Sequence, residues 1–395
     1  MTVTSSSFSA PVRAAWLGDQ TVRAVLYQAL VAAAVAGAIW YLVSNTLDNL
    51  ARQNIASGFG FLGRSASFAI GESLIDYSAA DSYGRAIVVG MLNTLKVTGL
   101  SIVFATLIGV TVGISRLSSN WLLARLATVY VEMVRNVPLL LQLFLWYAII
   151  TENLPSPQQA LNPLPGVFLS NRGLVMPVPV VDAAWTAGIA ALLLAVVVSL
   201  GLSRWTRHRR QTTGRGFPFA AAVLALLLGL PLLVWGVFGA TLVLDVPVLR
   251  GFNFRGGGAV SPELAALLLG LSIYTASYIA EIVRAGILAV DLGQTEAALA
   301  LGLSPAQVLR LVVLPQALRV IVPPLTSQYL NLNKNCSLAV AIGYPDMVSV
   351  LNTIVNQTGQ AVEGVGLIMG VYLAISVVIT VVMAWYNRAV ALVER

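Results

Sequence analysis

Long apolar stretches alternate along this chain with shorter polar ones. A hydrocarbon core about 30 Å thick is crossed by about 20 apolar residues in helical form. Eight stretches meet that length, near 24–44, 86–114, 122–150, 183–203, 217–241, 262–288, 320–344 and 364–387. They predict an all-α membrane protein of about eight transmembrane helices. The segments at 45–85 and 151–182 are rich in Gly, Ser and Pro, and LPSPQQALNPLPG in the second reads as an irregular linker. In the first, FLGRSASFAIGESLIDY spaces its apolar residues for an amphipathic helix lying on the membrane.

The polar stretch at 291–319, DLGQTEAALALGLSPAQVLRLVVLPQALRV in its context, is patterned as two short helices. Thr295 is placed to cap the first, which starts at Glu296, Ala297 and Ala298, and Gly302 supplies a left-handed turn at its end. Ser304, Pro305 and Gln307 make a capping box with proline at the first helical position, and Pro315 limits the second helix.

Composition agrees with the pattern. The chain is 58% hydrophobic and 10% charged, whereas a soluble domain carries about 25% charged residues. The net charge of +7 does not mark a nucleic-acid binder, because 21 of the 23 basic residues are Arg scattered between apolar runs. That scatter sets topology, since basic loops stay on the cytoplasmic side. With the N-terminus inside, fourteen arginines fall at cytoplasmic ends and six outside, and RWTRHRRQTTGRG after the fourth run carries the strongest bias. Both termini are then cytoplasmic. MTVTSSSFSAPVRAAW lacks the pattern of a cleavable signal, so the first apolar run is expected to stay as an anchor helix.

Ionisable and amide groups inside spans are costly and therefore candidates for function. In the seventh run Ser327, Asn331 and Lys334 share a helical face, with Gln328 and Asn335 beside it. The stripe either lines a substrate path, with Lys334 facing a carboxylate, or joins helices through hydrogen bonds. Glu132 with Arg135 and Glu281 with Arg284 are spaced to neutralise each other as i, i+3 pairs, with substrate binding as the minority reading. Asn93 and Thr94 are placed to hold the second span against a partner helix. Gly109 with Gly113, and Gly366 with Gly370, permit close helix contact.

Other features read as structure. Cys336, the one cysteine, is a small packing residue, and His208 belongs to a solvated basic loop. GFGFLG at 58–63 lacks the strand and acidic partner of a dinucleotide site, and no Gly-x-x-x-x-Gly-Lys-Ser/Thr sequence is present to bind ATP. No nucleophile, base and orienter come together to suggest an enzyme, and no metal ligands cluster.

Glu296-Ala297-Ala298, three residues, Gly302, nine residues, Val312, one residue, then Leu314 and Pro315 resembles the EAA loop of binding-protein-dependent ABC permeases. Val312 stands where Ile is usual. The resemblance implies a coupling helix in a groove of an ATPase subunit, with Ala297 and Ala298 as a small-residue surface and Glu296 as a polar anchor at the helix start. GMLNTLKVTGL, YVEMVRNVPLLLQLFLWY, EIVRAGIL and LPQALRVIVPPLTSQYLNLNKNCSL are similar to the polar amino acid branch of that family. This implies a five-span permease core at 86–150 and 262–388. The anchor and loop at 1–85, and the loops with two helices at 151–261, are then additions like those of large general L-amino-acid permeases.

The implied function is the pathway subunit of an ATP-driven importer in a bacterial inner membrane. Its implied partners are an ATPase dimer holding ATP and Mg, a second permease subunit, identical or homologous, and a periplasmic amino-acid-binding protein. A self-contained secondary transporter driven by an ion gradient stands as the alternative, with Lys334 and the glutamates as its charge-bearing sites. Its support is the echo between YVEMVRNVPLL and YIAEIVRAGIL.

Overall fold

A computed structural model of the chain describes residues 20–52, 57–180, 182–213, 218–239 and 243–390. Arg13, Arg215 and Arg395 lie outside the described residues, as do the side chains of Arg207, His208 and Arg210. Among the described residues, seven helices are long and apolar enough to span a membrane, or eight if one sharply bent pair counts as a single span. They begin with α1 (Gln20–Arg52), whose apolar side chains are exposed, and α2 (Tyr83–Ser115).

The third apolar run, expected as one span, is broken into α3 (Trp121–Asn136) and α4 (Leu139–Asn153), which meet at 106°. Pro138 explains the break. It has no N–H to donate, and its ring drives Val137 out of helical conformation, to φ −104 and ψ 128. Carbonyls freed in an apolar setting need donors. Gln142 supplies two, donating to Val134 O at 2.9 Å and Val137 O at 3.0 Å, while the Asn136 amide donates to Glu132 O at 2.7 Å.

The segment expected as an irregular linker forms strands β1 (Leu161–Leu164), β2 (Val167–Ser170), β3 (Gly173–Met176) and β4 (Val178–Pro179). Further strands follow the next helical pair: β5 (Leu244–Asp245), β6 (Val248–Arg250), β7 (Asn253–Arg255) and β8 (Gly258–Val260). One sheet has the order β1-β2-β3-β8, antiparallel throughout, with Leu174 opposite Val260. Gly173, at φ 101, packs its α-carbon against Val260 O with no room for a side chain, which allows β8 to pair there. The helical expectation therefore holds for the spans, and small sheets occupy the loops. Between them α5 (Ala183–Thr213) and α6 (Phe219–Phe238) make a hairpin. Trp235 lies on Gly188, its ring 4.8 Å from that of Trp185.

The remaining helices are α7 (Pro262–Leu288), α8 (Leu292–Ala300), α9 (Pro305–Val308), α10 (Leu314–Asn335), α11 (Met347–Thr358) and α12 (Ala361–Val390). Pro315 does not end the helix before it. A π turn over Leu309–Val313, closed by the Leu314 N–H on Leu309 O, carries α9 into α10, so the seventh span is continuous over Pro305–Ile342. Pro315 falls in the first turn of α10, where a missing N–H is tolerated.

By internal packing the chain forms two units. One comprises 1–93 and 345–375, with a core that includes Phe61, Tyr83, Met347, Leu351 and Ile354. Here GFGFLG is a 3-10 turn that buries Phe61 beside Tyr83, and the following residues, expected as an amphipathic helix, are irregular. Asn93 reaches loop and turn carbonyls rather than a partner helix, donating to Glu72 O at 2.8 Å and Pro345 O at 2.9 Å. Gly366 and Gly370 face open space, so the close helix contact expected there is not made.

The other unit comprises 94–344 and 376–395, and its core includes Leu143, Leu267, Leu271, Ile279, Ile321 and Leu332. Gly109 and Gly113 do admit close packing here. A Cβ on Gly113 would fall 2.8 Å from Ala280 O and 2.9 Å from Val283. Cys336 is buried as a packing residue, its sulfur 3.3 Å from the Thr98 hydroxyl.

Candidate functional site

Two features of the larger unit carry candidate function: the loop between α7 and α10, and the outer face of α10. In the loop, Asp291 rather than Thr295 caps α8, accepting from Gly293 N at 2.6 Å. The helix therefore begins four residues earlier than the motif suggests, and Glu296 lies in its middle rather than at its start. At its end Gly302 adopts φ 78, and the N–H groups of Gly302 and Leu303 bond to Leu299 O at 2.9 Å and Ala298 O at 3.2 Å. This is the paired bonding of a Schellman cap. Gln307 accepts from Ser304 N at 2.9 Å, which starts α9 as expected.

These caps hold α8 with one stripe outward. Leu292, Glu296 and Leu299 stand at i, i+4 and i+7, all exposed, and Leu301 beyond them is 83% exposed. Ala297 is exposed too. Ala298 is 4% exposed and packs inward, so it does not share the small-residue surface expected with Ala297. Leu314 is exposed, while Val312 and Pro315 are half-buried. Leucines this open beside a carboxylate form an apolar surface with a charged centre, the form of a docking face.

On α10 the buried side packs Ala317, Ile321, Leu325 and Leu332 into the core. The opposite side presents Val320, Pro324, Ser327, Asn331 and Lys334, each exposed, with Gln328 and Asn335 half-buried at its edges. The shared face read from spacing is thus the outer face of the chain. Asn333, which spacing did not single out, is buried between Thr98 and Ser376, with hydroxyl distances of 3.4 and 3.3 Å. It joins helices as the stripe does not.

The two Glu-x-x-Arg pairs diverge. Arg284 bonds Glu281 at 2.8 Å, and Arg116 from the end of α2 closes on the other oxygen of the same carboxylate. Arg116 has an 8% exposed side chain, and sequence spacing gave no sign of it, since its partner is 165 residues away. Glu132 and Arg135 do not pair with each other. Both are exposed just before the break, and the Arg135 guanidinium lies 5.0 Å from the centroid of the Tyr278 ring. The ring face attracts a cation, which supplies the compensation expected from Glu132.

Residues 212–395 match the family described as the binding-protein-dependent transport system inner membrane component. YhdX of Escherichia coli K12, named as an amino-acid ABC transporter permease, is 54% identical over 381 residues, covering 95% of this chain and 96% of its own length. The general L-amino acid transport system permease AapQ of Rhizobium johnstonii is 51% identical, with 95% and 94% covered. The glutamate/glutamine/aspartate/asparagine transport system permease BztB of Rhodobacter capsulatus is 40% identical, with 91% and 92% covered.

Proposed function

Because the chain belongs to the binding-protein-dependent transport inner-membrane components, we propose that it is the permease subunit of an ATP-driven importer of L-amino acids. The observation that carries this reading is the outward polar stripe of α10. A lysine facing lipid within a span costs up to about 2.5–3.5 kcal/mol on insertion scales, the most at the bilayer centre. Ser327, Asn331 and Lys334 therefore face a wet path or another polypeptide rather than acyl chains. A second permease subunit set against this face supplies both, with the path between the two chains.

On this reading Lys334 meets the carboxylate of the amino acid and Asn331 and Gln328 its polar groups, as Glu132 and Arg135 beside the broken span would. Glu281, Arg284 and Arg116 tie helix ends together instead. The loop from Asp291 to Val313 faces the cytoplasm with both termini. There Glu296, Ala297, Leu292 and Leu299 dock on an ATPase dimer, which holds ATP and Mg, and Gly302, Leu314 and Pro315 set the loop's shape. A periplasmic binding protein delivers the amino acid on the other side of the bacterial inner membrane.

The experiment is uptake of labelled amino acids into vesicles holding the full importer, with Glu296→Arg or Gly302→Asp in this chain. Uptake is expected to be lost while the chain remains inserted. Full uptake by both variants, with normal recruitment of the ATPase, would overturn the assignment of the loop.

A further inference from the structure

The small sheets between the spans have no part in these roles. In one of them β6 and β7 form a hairpin, with Val248 opposite Arg255, Leu249 opposite Phe254 and Arg250 opposite Asn253, so Gly251 and Phe252 are its two-residue turn. Opposed residues share a face, and so do alternate residues along a strand. Val248, Arg250, Asn253 and Arg255 therefore make one face, and Leu249 and Phe254 the other. The second face is anchored, because the Phe254 ring stacks on Phe168 of β2 with centroids 4.6 Å apart. Asp245 fixes the base of the hairpin by accepting from Gly257 N at 2.8 Å. The first face is thereby turned outward, and all four of its residues are exposed. Phe252 at the turn is 76% exposed. Residues 246–262 contain no acid, and among the described residues neither Arg250 nor Arg255 forms an ion pair.

α7 crosses the membrane between this hairpin and the α8 loop, so the two lie on opposite sides. The hairpin is then on the side that basic residues usually avoid. Two guanidinium groups without partners on one braced face, beside an open aromatic ring, are the residue types that anchor protein interfaces. We propose that the hairpin of β6 and β7 is the docking element for the soluble protein that delivers the amino acid, an inference that rests on the importer reading above. Phe252 enters an apolar recess on that protein, and Arg250 and Arg255 pair with carboxylates beside the recess. Charge complementarity calls for an acidic partner surface. The bilayer is the poorer match, because Arg250 and Asn253 adjoin the turn and would be carried into lipid with Phe252.

The test uses the full importer in phosphatidylcholine vesicles, with uptake of labelled amino acid measured against the concentration of the importer's binding protein. Phe252→Ala should raise the concentration needed for half-maximal uptake about tenfold, the scale of a lost interface anchor. Uptake at saturating binding protein should equal that of wild type, which a merely misfolded variant would not reach. Arg250→Glu with Arg255→Glu should raise the same concentration at least as far. Added NaCl should raise it further for wild type and lower it for the glutamate variant, whose reversed charges repel the partner. Leu164→Ala, at an exposed position of the neighbouring sheet, should behave as wild type. Should the hairpin variants fail to insert, wild type decides, since indifference to NaCl would overturn the proposal. An unchanged concentration dependence in both hairpin variants would overturn the docking role alone. Wild-type uptake that needs no binding protein would overturn the importer reading, and the docking role with it. A defect seen only when phosphatidylglycerol is added to the vesicles would assign the hairpin to the membrane instead.

Discussion

Lys334 lies about 20 Å along the helix from Val320 at 1.5 Å per residue, too far for its side chain to reach the near membrane surface. Its exposure on the outer face of α10 therefore needs a polar counterpart beyond this chain. Lys334→Met is expected to insert at least as well as wild type, since a charge has been removed from a span. The concentration of amino acid needed for half-maximal uptake should rise about tenfold, the equivalent of a lost hydrogen bond to a charged group. Uptake kinetics in vesicles, measured beside membrane yield, decide between this outcome and a purely structural lysine, whose loss would lower yield and leave that concentration unchanged.

Asp346 offers a second test at the same scale, in the smaller unit. It is buried, caps α11 by accepting from Ser349 N at 2.8 Å, and accepts from the Tyr372 hydroxyl at 3.2 Å. Burial pushes its carboxyl up to about 6, from an ordinary 3.8, against the lowering effect of those hydrogen bonds. The folded state thus holds the proton more tightly than the unfolded one, and stability falls as pH rises from about 4 to about 6, then levels. The full effect is of order 3 kcal/mol. Asp346→Asn keeps an acceptor for the cap and should abolish this pH dependence. Thermal melting in detergent at pH 4.5 and pH 7.5 checks it, and a variant that tracks wild type at both would show the carboxyl is not responsible.

Elements behave as more than strings of residues at two places. In α8 the Schellman cap, the Asp291 cap and the capping box of α9 together fix which way Leu292, Glu296 and Leu299 point. Glu296→Arg leaves those caps untouched and should reduce ATP-dependent uptake by thirtyfold or more, the scale of about 2–5 kcal/mol for a mispaired charge in an interface. Gly302→Asp acts differently, by straining a residue at φ 78 by about 1–2 kcal/mol. The two variants should therefore differ in melting temperature while sharing the transport defect. At the break between α3 and α4, Gln142→Leu would strand the carbonyls of Val134 and Val137, at about 1–3 kcal/mol for each unsatisfied group. A melt lowered by Gln142→Leu and unaffected by a leucine at exposed Gln294 would assign the effect to the break.

At the scale of the whole molecule, the exposed faces of α8 and α10 lie on one unit and neither is covered within it. Tagged purification in mild detergent should recover an ATPase chain and a second permease subunit, identified by mass. Recovery of this chain alone, still competent for uptake in vesicles, would contradict the proposed assembly. The spans, their order and the loop motif were legible because each rests on local chemistry: twenty apolar residues demand a helix in lipid, and Gly302 permits a left-handed turn. The bend was less legible. Asn136-Val137-Pro138 carries the signal for it in the middle of an apolar run, and apolar length alone overrides that signal.

Sequence by itself determined the order and approximate place of most of the membrane helices, the closeness of Gly109 and Gly113 to a neighbour, and that Ser327, Asn331 and Lys334 share a face. Helical periodicity and the cost of placing unpaired backbone and polar groups in lipid act over a few residues and need no tertiary partner to be read. Only the tertiary structure decided that this face is the outer one, that Ala298 turns inward, that Arg116 completes an ion pair with Glu281, and that 173–176 pairs with 258–260. Each of those depends on contacts between segments far apart in the chain, where which side meets which is set by packing and no local pattern records it.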